Sequence, residues 1–62
     1  MIKDSIILLS YINTKLRDHY LNLDTLCEDL NLNKAQINDI LNKKGYYYDS
    51  ILNKFVYKGE MK

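Results

Sequence analysis

No proline and no tryptophan occur among the 62 residues, and glycine occurs only at Gly45 and Gly59, where segments are expected to end. Without a glycine-rich stretch there is no phosphate-cradling loop of the nucleotide-binding type. The lone cysteine, Cys27, excludes an internal disulfide and leads us to expect a reducing, cytoplasmic setting. The longest apolar run is Ile6–Leu9, far short of the ~20 residues that cross a bilayer, so no membrane partner is expected. The start, Met1-Ile2-Lys3-Asp4, lacks the apolar segment of a secretory signal. His19 is the only histidine, and it falls on a different predicted helix from Cys27. A nucleophile pair needs both within hydrogen-bond reach and a third group to orient the histidine. No enzymatic activity, cofactor, metal or small-molecule substrate is therefore expected. Asp24, Glu28 and Asp29 share a helical turn and are expected to form a solvated acidic face.

The chain is apolar at 47% and contains six tyrosines, a globular composition. A length of 62 residues accommodates one domain, 1–62, burying roughly 60% of the surface its unfolded chain exposes. So small a core favours self-association or a bound partner. Charge is unevenly placed: residues 1–33 balance at −2 and residues 34–62 at +3. The C-terminal half therefore has the polarity that suits a phosphate backbone, although the excess is small for a strong DNA binder.

Periodicity gives a mainly α fold with a small β-hairpin. A first helix is expected at about 4–20, started by Asp4 or Ser5, with Ile2, Ile6, Leu9, Ile12, Leu16 and Tyr20 on its core stripe. Asn13 falls within that stripe and needs hydrogen-bond partners, expected at a neighbouring helix end. Ile7, Leu8 and Tyr11 share another side. They are either covered by the hairpin or tail, or they form a dimer or partner surface.

A second helix is expected at about 23–30, capped by Asn22 and with Leu23, Leu26, Cys27 and Leu30 inward; Cys27 is expected to be a packing residue. Asn31 suits the left-handed residue that ends it, and Leu32 plugs the angle before the next helix. The third helix, about 34–44, has Asn33 as N-cap with Gln36 three residues on. Ile37, Ile40 and Leu41 face inward, and Lys43, Lys44 and Gly45 suit its C-terminal end. After Gly45 the period changes to 2. Strands are expected at about 46–49 and 54–57, joined by 49–53, with Tyr46, Tyr48, Phe55 and Tyr57 inward and Tyr47, Lys54 and Val56 outward. Residues 58–62 are expected to fray.

That order predicts a winged helix-turn-helix, the architecture that docks a helix into the major groove of double-stranded DNA. Lys34, Gln36, Asn38 and Asn42 would form the reading face, with Lys43, Lys44, Lys54 and Lys58 gripping the backbone on either side. Asparagine and glutamine pair bidentately with adenine, whereas Asp39 repels phosphate and arginine is missing from the face. The alternative is a protein-interaction module on the same scaffold, using Ile7, Leu8, Tyr11, Ile51 and Leu52. Two apolar residues at the loop tip are unusual for a wing that must approach phosphates.

The string Asn13-Thr14-Lys15-Leu16-Arg17-Asp18, the run Leu23-Asp24-x-Leu26-Cys27-x-Asp29-Leu30 and the later Gly45-Tyr46-x-Tyr48-Asp49 resemble a family of roughly 60-residue bacterial proteins described as a domain of unknown function. The likeness spans about residues 3–56. It implies a stand-alone cytoplasmic protein of firmicute-like bacteria and supplies no activity. Within the string, Arg17 is expected to pair with an acidic neighbour such as Asp24.

Overall fold

The computed structural model describes residues 4–59. Three helices, α1 (Ser5–Asp18), α2 (Leu23–Leu30) and α3 (Lys34–Asn42), precede an antiparallel hairpin of β1 (Tyr46–Asp49) and β2 (Lys54–Tyr57). This is the mainly helical layout that the periodicity predicts.

Each helix starts on a short polar side chain that takes up free amides. Asp4 accepts from the amides of Ile6 and Ile7, Asn22 from Thr25, and Asn33 from Gln36. Helix α2 ends in a Schellman arrangement. Asn31 adopts the left-handed conformation (φ 57°, ψ 47°), its amide donates to Glu28, and the Leu32 amide donates to Cys27 at 2.8 Å. Leu32 then packs against the core between α2 and α3.

Two helices are shorter than the periodicity predicts. Helix α1 stops at Asp18 rather than Tyr20, because the Asn53 amide group reaches over from the hairpin. It donates to the carbonyls of Leu16 (3.1 Å) and Tyr20 (2.9 Å), capping the helix from outside. Helix α3 stops at Asn42 rather than Lys44. Its final turn tightens to three-residue spacing, with Lys44 donating to Leu41 and Gly45 to Asn42, before Gly45 at φ +90° turns the chain into β1.

Leu8, Ile12, Leu16, Leu23, Leu26, Cys27, Ile37, Leu41 and Phe55 form one buried cluster, flanked by Leu9, Tyr20, Leu30, Leu32, Ile40, Tyr46 and Tyr48. The α1 stripe is rotated from the predicted one. Leu8 lies inside it at 1% exposure and Ile6 outside at 56%. At 100° per residue Ile6 lies about 120° from Ile12, beyond the width of a buried face, whereas Leu8 is one turn from it. Ile2 lies outside the described residues.

The strands pair Tyr46 with Tyr57, Tyr47 with Val56, Tyr48 with Phe55 and Asp49 with Lys54. Tyr46, Tyr48 and Phe55 face the core as predicted; Tyr57 does not, at 67% exposure. Its ring lies across the backbone of Gly45 and Gly59 and tilts against Tyr46, so it covers the open end of the ladder. There Lys58 donates its amide to Gly45 at 2.7 Å, and the expected frayed tail begins with an ordered contact; 60–62 lie outside the described residues.

Asn13 bridges to a strand rather than to a helix end. Its amide donates to the Phe55 carbonyl (3.1 Å) and accepts from the Phe55 amide (2.8 Å). Asp49 holds the hairpin tip by accepting from the amides of Ile51 and Leu52, and Asn53 closes it at φ 56°.

Candidate functional site

The residues predicted to read DNA come from α3, its C-terminal turn and β2. Lys34, Gln36, Lys43, Lys44 and Lys54 are exposed, whereas Asn38 and Asn42 are half-buried. Inward-facing Ile37, Ile40 and Leu41 hold α3 against the core and so fix which residues face solvent. Asn42 is partly withdrawn: its amide oxygen is buried and has no hydrogen-bond partner among the described residues.

Two of the four lysines in this segment and the hairpin are already engaged. The Lys34 ammonium sits 2.6 Å from the Asp24 carboxylate, tying α3 to α2. That hydrogen bond, then the charge of Asp24, raises the Lys34 pKa and keeps the ammonium charged. Lys43 pairs with Asp39 one turn back, at 3.2 Å. Lys44 and Lys54 have no ion-pair partner among the described residues. Asp24 is therefore the partner of Lys34 and not of Arg17. Arg17 instead forms a bidentate pair with adjacent Asp18 at 2.8 and 3.0 Å. The Arg17 hydrogen bond holds the Asp18 carboxyl below its ordinary pKa, and Asp18 in turn raises that of Arg17.

The second predicted set does not form one surface as drawn. Leu8 is removed from it, because it is buried in the core beside Ile12. Ile7 and Tyr11 are exposed on α1, and Lys15 lies over the Tyr11 ring at 5.7 Å. Ile51 and Leu52 are exposed at the hairpin tip, Ile51 at 92%. Ile6 and Leu21 add exposed apolar surface that the periodicity did not single out. For Leu21 a signal existed, since it immediately precedes the N-cap Asn22 and so falls between helices.

Two remaining polar groups are structural. The Tyr20 hydroxyl donates to Asp29, linking the end of α1 to α2, and this bond raises the Tyr20 pKa. Cys27 is buried in the core, and burial pushes its thiol pKa up, which disfavours the reactive thiolate.

A family model described as a domain of unknown function (DUF4250) matches residues 2–55. The chain belongs to this family. No curated protein and no solved structure matches it. Within the family match lie all three helices, β1 and the first residues of β2. Among the described residues, no helix is long and apolar enough to cross a membrane.

Proposed function

We propose that this DUF4250 protein is a small winged helix-turn-helix protein of bacterial cytoplasm that binds double-stranded DNA, probing the major groove with α3 and regulating transcription as a dimer. One observation carries the reading. The α2–Asn31–α3 corner is closed by its own caps, by Leu32 and by the Lys34–Asp24 pair, leaving the polar face of α3, with Lys34, Gln36 and the edge of Asn38, turned to solvent. Glutamine and asparagine on such a face suit adenine edges. Lys44 after the helix and Lys54 on the hairpin supply cations free of ion pairs among the described residues.

The pairs Lys34–Asp24 and Lys43–Asp39 reduce the field without abolishing it. All four side chains are exposed, and solvent screens such pairs so that they contribute little. A phosphate displacing either carboxylate therefore meets little resistance, although the carboxylates remain nearby and lower affinity.

Titration of a fluorescent duplex at low salt tests the reading. Saturable binding that weakens steeply with added salt is expected, and Lys34→Ala with Lys43→Ala should reduce it. Absence of binding to pooled genomic DNA below roughly 100 μM, the weak end of non-specific affinity, would overturn it.

A second reading, a protein-interaction module, draws on the exposed Ile51 and Leu52 at the hairpin tip and on Ile7 and Tyr11 of α1. Light scattering tests it through self-association that Tyr11→Glu or Ile51→Glu abolishes without loss of helix content. A strictly monomeric chain that recovers no protein in a pull-down would remove this reading.

A further inference from the structure

Between the C-terminal half of α1 and the hairpin tip lies an open cleft of about 550 Å³, which shares Lys54 and Leu52 with the two readings above but whose α1 wall neither uses. Thr14 and Arg17 lie on one side, Leu52, Asn53 and Lys54 on the other. We propose that this cleft is a phosphate-binding site, taking a phosphate monoester or diester between Arg17 and Lys54.

The lining contains two cations and no carboxylate, in a chain whose whole net charge is +1. Arg17 has five N–H donors, and the bidentate pair with Asp18 uses its Nε–H and one Nη2–H. Three donors remain, on a guanidinium that the pair orients, and a planar fork suits phosphate oxygens. Lys54 has no ion-pair partner among the described residues. Asp49, opposite it in the ladder, spends one carboxylate oxygen on the amides of Ile51 and Leu52. The Thr14 hydroxyl adds an exposed neutral donor.

The two walls are also fixed with respect to each other. Asn53 donates to the Leu16 and Tyr20 carbonyls and accepts from the Tyr48 hydroxyl (2.6 Å), and Asn13 grips Phe55 from α1. These bonds use both N–H groups of Asn53 and one of Asn13, so the charged donors left for a ligand are those of Arg17 and Lys54, beside the Thr14 hydroxyl. A cleft whose walls are already tied together binds an anion without first ordering its backbone. Leu52 provides an apolar edge against which a sugar or base can lie. The chemistry is the same for a phosphomonoester in solution and for a phosphodiester in a nucleic-acid strand.

The test is an amide and arginine Nε chemical-shift titration in phosphate-free buffer, using inorganic phosphate, adenosine 5′-monophosphate and a short DNA duplex. Saturating shifts at Thr14, Arg17, Asn53 and Lys54 are expected, confined to these residues with the two small probes. Saturation by the first two probes assigns a free phosphorylated ligand; saturation by the duplex alone assigns a nucleic-acid backbone. Arg17→Gln and Lys54→Gln should each weaken binding about tenfold or more, the size of a charged hydrogen bond. Arg17→Lys should recover part of the loss. Lys15→Gln, the same charge change outside the cleft lining, should have little effect. Shifts from inorganic phosphate or adenosine 5′-monophosphate spread over Lys15, Lys34, Lys43, Lys44 and Lys58, equal losses for Lys15→Gln and Lys54→Gln, or no saturation with any probe would overturn the proposal. It does not rest on DNA reading by α3: a duplex that shifts α3 but not the cleft refutes the cleft alone, and phosphate binding without duplex binding refutes α3 alone.

Discussion

Asn13 and Phe55 exchange two hydrogen bonds as if the asparagine side chain were a third strand's peptide group. Backbone N–H and C=O of one strand residue point to the same side, so Phe55 directs both away from β1 and toward α1. Tyr48 and Phe55 are consequently the non-hydrogen-bonded pair, and their rings meet at a centroid distance of 5.6 Å. A two-stranded hairpin is marginal alone, and this side chain helps anchor it to the helical core.

Replacing Asn13 with Ala leaves the Phe55 amide and carbonyl without these partners in a partly buried place. A loss of about 1–3 kcal/mol is expected, read as a lower urea midpoint with an unchanged slope. A variant as stable as the parent would show that solvent replaces the side chain at no cost.

Asn53 has two separable roles, one conformational and one as a donor. Asn53→Gly keeps the left-handed backbone at φ 56° but removes the bonds to Leu16, Tyr20 and Tyr48. Asn53→Ala removes both. Thermal unfolding should rank the parent above Asn53→Gly, and Asn53→Gly above Asn53→Ala by about 1 kcal/mol, the cost of positive φ on a residue bearing a Cβ. Equal stability of the two variants would mean that the backbone conformation carries none of the effect.

The different legibility of these residues has a physical basis. Asn22, Asn31 and Asn33 act on amides within a few residues of themselves, so their capping and turn roles follow from local spacing. Asn13 and Asn53 act across 42 and 33 residues, and no local pattern encodes which distant carbonyl each will meet. The extra length predicted for α1 has the same origin, since its external cap comes from the hairpin. Ion pairing was equally hidden: Asp24 and Lys34 meet only once the α2–α3 corner has closed. At the candidate site, exposure of Lys34 and Gln36 followed from helical periodicity, whereas the engagement of Lys34 and the inward turn of Asn42 did not.

Gly45 cannot be replaced quietly. A Cβ there would lie 2.8 Å from Cε1 of Tyr57, and φ is +90°, where residues with a Cβ are strained. Gly45→Ala should destabilise by about 1–3 kcal/mol. Tyr57→Ala removes the clash but not the backbone strain, so adding it should recover only part of the loss. Full recovery by the double variant would assign the whole cost to the ring.

The Arg17–Asp18 pair sets a sign for acid titration. Because Asp18 is held below its ordinary pKa when folded, its contribution is present above the unfolded value, near pH 4, and fades as pH falls through the folded value. Both groups are exposed, so the effect on global stability is small. The carboxyl carbon shift of Asp18 should nevertheless titrate at lower pH in the parent than in Arg17→Gln. Identical midpoints would show that the bidentate pair is not populated in solution, and would remove the orientation argument for the cleft.

Charge removal on α3 gives the sharpest test of DNA binding, because it predicts a gain. Asp39→Asn frees Lys43 and deletes a carboxylate beside the proposed phosphate path. Glu28→Gln makes the same change of one charge on α2, where Glu28 has no ion pair among the described residues. If α3 faces DNA, Asp39→Asn should tighten duplex binding severalfold and steepen its salt dependence by about one unit of slope, since one more lysine displaces a counterion. Glu28→Gln should change both far less. Equal gains would reduce the effect to net charge, and no gain from either would mean that α3 does not approach the phosphates at all.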